Sequence, residues 1–186
     1  MFRRLSYLVL LIVILLPGCA SMGSGTVAEK RQSILAMKTQ VLNQLYKQKP
    51  YVKEQIKSSP GYAVFSNANI NLIVVSAGTG YGVVTSASGK NTYMNMAEGG
   101  VGLGVGAKDY RIVMVFHTQK AMDNFIKNGW TFGGNADAAA KITDKGASVQ
   151  GEAYYGDVTV YTFTESGLAL QATVKGTKFW PDTELN

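Results

Sequence analysis

Apolar and polar positions follow two different periods along this chain. From Val27 to Gln48, Ile34, Met37, Val41, Leu42 and Leu45 recur at spacings of three and four, which marks one face of a helix. Lys49-Pro50 interrupts the pattern. A short second helix, YVKEQIK, can start at Pro50, whose fixed φ suits a first turn, and stops before Ser59-Pro60-Gly61. Beyond Gly61 the texture changes to β-branched and aromatic runs separated by glycine, serine and asparagine. It predicts strands at 62–67, 71–77, 79–86, 91–97, 100–107, 110–117, 147–155, 157–165 and 167–176, with TKFW extending the last. The linkers Ser88-Gly89-Lys90-Asn91, Lys108-Asp109 and Tyr155-Gly156-Asp157 are hairpin-sized, so the pairing is expected to be antiparallel. Thr118 can cap a helix carrying Ala121, Met122, Phe125 and Ile126 on one side and ended by Asn128-Gly129; NADAAAK (135–141) reads as a further helical turn. The fold class expected is α+β, mainly β: an antiparallel barrel-like core with about three helices on its surface.

GGVGLGVGAK (99–108) tests that reading. A phosphate loop places its glycines at a strand-to-helix turn, where the helix N-terminus supplies the anion site. Here Gly100, Gly102, Gly104 and Gly106 recur at period two, a strand period, as do Gly78, Gly80 and Gly82. Rows of this kind mark sharp bends or a close approach of backbone, not a nucleotide site.

The first residues change the picture. MFRRLSYLVLLIVILLPGCASMGSG has two arginines ahead of an apolar run from Leu8 to Leu16, shorter than the roughly 20 residues of a membrane-spanning helix, and reads as a secretory signal. Cys19 is the one cysteine, so no disulfide can form within the chain. Leu16-Pro17-Gly18-Cys19 resembles the bacterial lipobox, although proline is uncommon at its position. That resemblance implies cleavage after residue 18, diacylglycerol on Cys19 and acylation of the new amino end. The alternative is an ordinary cleavage site with an incidental cysteine. Ala20, where an inner-membrane lipoprotein would usually carry Asp, favours the periplasmic leaflet of the outer membrane. Residues 19–26 then form a tether, and 27–186 one domain, with basic helices in 27–57 and the barrel in 62–180.

Removing Arg3 and Arg4 with the signal takes the 18 basic residues to 16 against 12 acidic ones, a net of +4. Residues 28–57 hold Lys30, Arg31, Lys38, Lys47, Lys49, Lys53 and Lys57 against only Glu29 and Glu54. A basic segment beside a lipid anchor can lie on anionic headgroups, each cation contributing about 1 kcal/mol. Equally, the apolar stripe can cover the barrel and leave those seven cations as a solvated face. The rest of the chain is not basic, which excludes a nucleic-acid-binding barrel.

GYAVFSNANI, SAGTGYGVV, GGVGLGVGAKDYRIVMVF with a following AMDNF helix, and ESGLALQATVKGTKFW together resemble the SYLF domain in its bacterial lipoprotein branch, over about residues 28–181. The resemblance implies a β-barrel core with surface helices that binds membrane lipids. Eukaryotic relatives bind phosphoinositides partly through an N-terminal amphipathic helix, and a yeast branch engages actin. NTYMNMA stands where many relatives have a Trp-Ser-x-Pro-like segment, so that segment's role does not transfer.

Catalytic chemistry is thin. His117, the one histidine, closes an apolar strand and reads as a rim residue; there is no G-x-S-x-G, no metal-ligand spacing and no cofactor motif. Glu98 and Glu152 would revive hydrolysis only if they met in a cleft; the bland alternative is a buried or rim carboxylate paired with lysine. The expectation is a non-enzymatic lipoprotein binding anionic phospholipids or phosphoinositide-like headgroups. The alternative is a structural or adaptor protein of the envelope, its tyrosines meeting a protein or glycan.

Overall fold

The computed structural model describes residues 25–129, 131–132, 152–164, 167–168 and 175–186. The signal, Cys19 and the helical turn expected at 135–141 lie outside them. Ten elements follow one another: α1 (Val27–Gln48), α2 (Val52–Lys57), β1 (Gly61–Ser86), β2 (Asn91–Phe116), α3 (Gln119–Asn128), β3 (Thr131–Phe132), β4 (Glu152–Tyr155), β5 (Val158–Thr164), β6 (Gly167–Leu168) and β7 (Lys175–Pro181). α1 opens with a reciprocal cap, in which Thr26 accepts from the Glu29 amide while the Glu29 carboxylate takes the Thr26 N–H. Thr118 caps α3 in the simpler way, accepting from the Ala121 amide.

Seven antiparallel strands make one curled sheet in the order β3-β7-β2-β5-β4, with β1 on β2 and β6 on β5. β1 and β2 correct the sequence expectation: they are two strands of 26 residues, not six short ones. They pair from Gly61↔Phe116 to Thr85↔Asn91, and Lys108-Asp109 is ladder, paired with Asn69 and Ala68, instead of a turn. The turns at Gly89 and Gly156 hold, with φ of 83° and 55°. β2's other edge is shared, Met94–Gly100 taking β7 and Tyr110–Phe116 taking β5.

A hairpin this long must bend. The register shifts between Ile73 and Val75, opposite the period-two glycines of β2, and the two limbs of β1 fold onto each other. A Cβ on Gly80 would strike the Ser66 carbonyl, and one on Gly82 the Val64 carbonyl and the Phe65 ring. Close backbone approach therefore explains those two glycines, as the strand-period reading expected.

The curl leaves two faces to cover. Phe65, Met94, Met96, Met114, Phe116 and Phe179 fill the inner one under Met122 and Phe125 of α3. Ring centroids 4.7 Å (Phe65–Phe179) and 5.4 Å (Phe116–Phe125) apart place these aromatics in edge or tilted contact. On the outer face, Val41, Leu42 and Leu45 of α1 cover Val64, Val113, Val115, Tyr161 and Phe163, while Ile34 covers Val83 and Tyr93 with Leu185 beside it. The apolar stripe read from the sequence is thus the covering face of α1.

Candidate functional site

The seven cations expected to meet lipid divide by what holds them. Lys30 pairs with Glu184 at 2.6 Å, and Arg31 donates from Nε to the Leu185 carbonyl and lies over the Tyr93 ring. Lys38 reaches Thr85 Oγ1 and Asn91 Oδ1 at the β1–β2 turn, and burial holds its ammonium below the usual lysine range. Lys49, 8% exposed, is the most deeply placed of the seven. Lys47 and Lys53 are exposed, and Lys57 is exposed 3.7 Å from Glu54. These three share the end of α1 and the short α2.

Lys49 organises that end. Its ammonium sits 2.8 Å from Glu152 Oε2 and 3.2 Å from the Tyr51 hydroxyl, and near the faces of Tyr51 and Tyr161. Glu152 also accepts from the hydroxyls of Tyr51 and Tyr154, both at 2.6 Å. Tyr161 donates to Gln55 Oε1 at 2.6 Å with Glu152 Oε1 3.3 Å away, and Gln55 continues to Thr159, which bonds His117 Nε2. Burial pushes the Glu152 carboxyl up, but the hydrogen bonds from Lys49, Tyr154 and Tyr51 outweigh it, and the net shift is down. Burial likewise works against the Lys49 charge, and Glu152 and Tyr51 overcome it. Donating to Glu152 raises Tyr154 to about 12, while burial, then Glu152, pushes Tyr161 up. The cluster joins α1 and α2 to the β4–β5 hairpin and holds two exposed aromatics, Tyr51 (53%) and Tyr154 (60%), side by side around one carboxylate.

A second feature is a cleft of about 510 Å³ between the limbs of the bent hairpin. Ser66, Asn67 and Asp109 line it from one limb, and Tyr81, Asn95 and Met96, with Trp180 of β7, from the other. Tyr81, Asn95 and Trp180 are cross-strand partners, Tyr81↔Asn95↔Trp180, and form a row on one face of three strands. Neither amide atom of Asn67 has a partner. No periodicity in the sequence marks this cleft, because the bend that creates it brings positions 67 and 81 together.

The carboxylates that could have carried hydrolysis have separate surroundings. Glu98 is buried in β2 and accepts from Thr177, whereas Glu152 belongs to the Lys49 cluster, the lysine-paired rim carboxylate that was the bland reading. His117 lies just past β2, its backbone N–H on Asp157. Among the described residues, no three His, Cys, Asp or Glu gather as metal ligands, and no helix is long and apolar enough to cross a membrane.

A family model described as Las17-binding protein actin regulator (Ysc84) matches residues 97–186, from the first half of β2 to beyond β7. Beta cell expansion factor A of Aeromonas veronii is 32% identical over 161 residues, 86% of this chain, and the chain spans 60% of that relative's length. Its name describes a factor rather than an enzyme, as the family description names a regulator. The glycine-strand blocks, the curled sheet with three helices and these two matches agree: this chain belongs to the SYLF-domain (Ysc84) family.

Proposed function

We propose that this chain is a non-catalytic lipoprotein, anchored through acylated Cys19 in the outer membrane facing the periplasm, whose single SYLF domain (27–186) binds anionic phospholipid, phosphoinositide-like headgroups included. One observation carries the reading: Lys47, Lys53 and Lys57 are exposed at the same end of the molecule as the exposed Tyr51 and Tyr154. Tyrosine rings settle at the headgroup level of a bilayer, and cations beside them gain about 1 kcal/mol each from an anionic leaflet. Lys30, Arg31, Lys38 and Lys49 serve this surface indirectly, by fastening α1 and α2 to the sheet. The apolar face of α1 is covered, so contact is made by the polar end and not by inserting α1. The tether of at most roughly 25 Å joins α1 at Val27, about 33 Å along the 22-residue helix from its lysine-bearing end, so anchor and cations meet one leaflet with α1 lying along the bilayer. The test is co-sedimentation of residues 20–186, without the anchor, with zwitterionic and anionic vesicles at low and high salt. Binding that needs anionic lipid and weakens with salt supports the reading; equal binding to both vesicles, or none, overturns it.

A further inference from the structure

We infer that the groove between the flank of α1 and Arg111 of β2 docks an extended, carboxylate-bearing peptide segment of a partner protein. Ala36, Gln40, Asn43 and Lys47 recur at spacings of four, three and four, so they form one line along α1, exposed beside the stripe that covers the sheet. Arg111 faces that line from the sheet. Alternation along β2 puts it on the face of Val113 and Val115, one step past the patch that α1 covers. The space between helix and strand is about 850 Å³, within the range of about 300 to 1,000 Å³ of ordinary ligand sites. From Ala36 to Lys47 the helix rises about 16 Å, the span of about five residues of extended chain.

The lining selects the guest. Its charged groups are Lys47 and Arg111, and no carboxylate stands among the described residues that line it, so an anion is favoured. Gln40 and Asn43 add exposed carboxamides, each with two N–H donors and a carbonyl acceptor. A phosphate group only accepts, and would meet those carbonyl oxygens with no donor. A peptide main chain offers an N–H and a C=O at each residue and matches both halves of a carboxamide. Carboxylates on the peptide then meet the Arg111 fork and the Lys47 ammonium in charge-assisted hydrogen bonds, roughly twice as strong as neutral ones. The walls are fixed before any guest arrives. Gln44 donates to the Thr164 carbonyl at 3.1 Å and ties α1 to the end of β5, Arg111 lies in the ladder between Ser66 and Phe163, and Val41 at the base is 1% exposed. The inference goes beyond the lipid reading: it shares Lys47 with that surface, but Arg111 is not among the cations assigned to lipid.

The experiment titrates the full chain, in a neutral detergent, with a pool of acetylated pentapeptides X-Glu-X-Asp-X, X being any uncharged residue, and with the matching amidated pool X-Gln-X-Asn-X. Binding is followed by the NMR resonances of the Gln40 and Asn43 side-chain amides and the Arg111 Nε–H. A parallel arm adds dihexanoyl phosphatidylglycerol. Saturable shifts with the acidic pool are expected, with at least a ten-fold loss of affinity in Arg111→Gln. The double variant Gln40→Glu, Asn43→Asp alters exposed positions and carries the same expectation if Arg111→Gln does not fold. Arg111→Gln leaves Lys47, Lys53 and Lys57 in place, so it removes the peptide response while anionic-vesicle binding is retained. Failure of vesicle binding in the parent chain counts against the lipid reading and not against the groove. Response to the phospholipid without response to the acidic pool makes the groove a headgroup site and overturns the inference. No saturable shift with the acidic pool, an equal response to the amidated pool, or shifts that survive both substitutions overturns it as well.

Discussion

The ammonium of Lys49 lies 2.8 Å from the Glu152 carboxylate, 103 residues further along the chain. Both side chains are about a tenth exposed, and three tyrosine hydroxyls surround the carboxylate. Removing one partner of such a pair leaves the other charge poorly solvated, so Glu152→Gln is expected to cost about 1–3 kcal/mol of unfolding free energy by chemical denaturation. The pH dependence has a defined sign. The folded Glu152 carboxyl lies below its ordinary value of 4.5, so its stabilisation is complete above that value and is lost as pH falls through the lower folded one. Lys49 lies above its ordinary 10.5, so its share is complete below 10.5 and is lost as pH rises through the higher folded value. Glu152→Gln should flatten the acid limb of a stability–pH profile; an unchanged acid limb refutes the assignment.

Gly82 lies against the Val64 carbonyl and the Phe65 ring where the two limbs of β1 meet. Gly82→Val should prevent that approach and abolish cooperative thermal unfolding. Gly99, with open space around its Cβ position, is the control, and Gly99→Ala should shift the melting temperature by no more than a few degrees. Comparable losses in both would contradict the folded-hairpin arrangement.

Phe125 joins α3 to the inner face, with centroids 5.4 Å from both Phe116 and Phe179. Phe125→Ala is expected to cost about 3–5 kcal/mol. Leu185 fills a similar place on the outer face at 2% exposure, between Ile34 and Tyr93, and Leu185→Ala should cost about 2–5 kcal/mol. Denaturant midpoints with unchanged slopes check both values.

The helices were legible because their faces repeat at helical spacing and their ends carry caps: Ile34, Val41, Leu42 and Leu45 are buried as read, and Thr118 caps α3. The long hairpin was not, and its physical reason is specific. Lys108-Asp109 resembles a turn only in polarity; it lacks the glycine that supplies positive φ at Gly89 and Gly156, and it faces Asn69 and Ala68, the end of the mostly polar run Ser66-Asn67-Ala68-Asn69, across the ladder. A polar run opposite a polar run extends a hairpin instead of ending it. The cations were visible as a set, but which of them are tied down depends on Glu184, Leu185, Thr85 and Glu152, all remote in sequence. The cleft depends on the bend near Ile73; the period-two glycines opposite it mark a bend, but not which distant residues the bend brings together.

The most direct measurement is vesicle affinity of residues 20–186 against the Lys47→Glu, Lys53→Glu, Lys57→Glu variant, on anionic vesicles at low salt. At about 1 kcal/mol per cation, the account predicts at least a ten-fold loss for the triple variant, with its melting temperature unchanged because none of the three is buried. A triple variant that binds anionic vesicles as tightly as the parent would contradict the account.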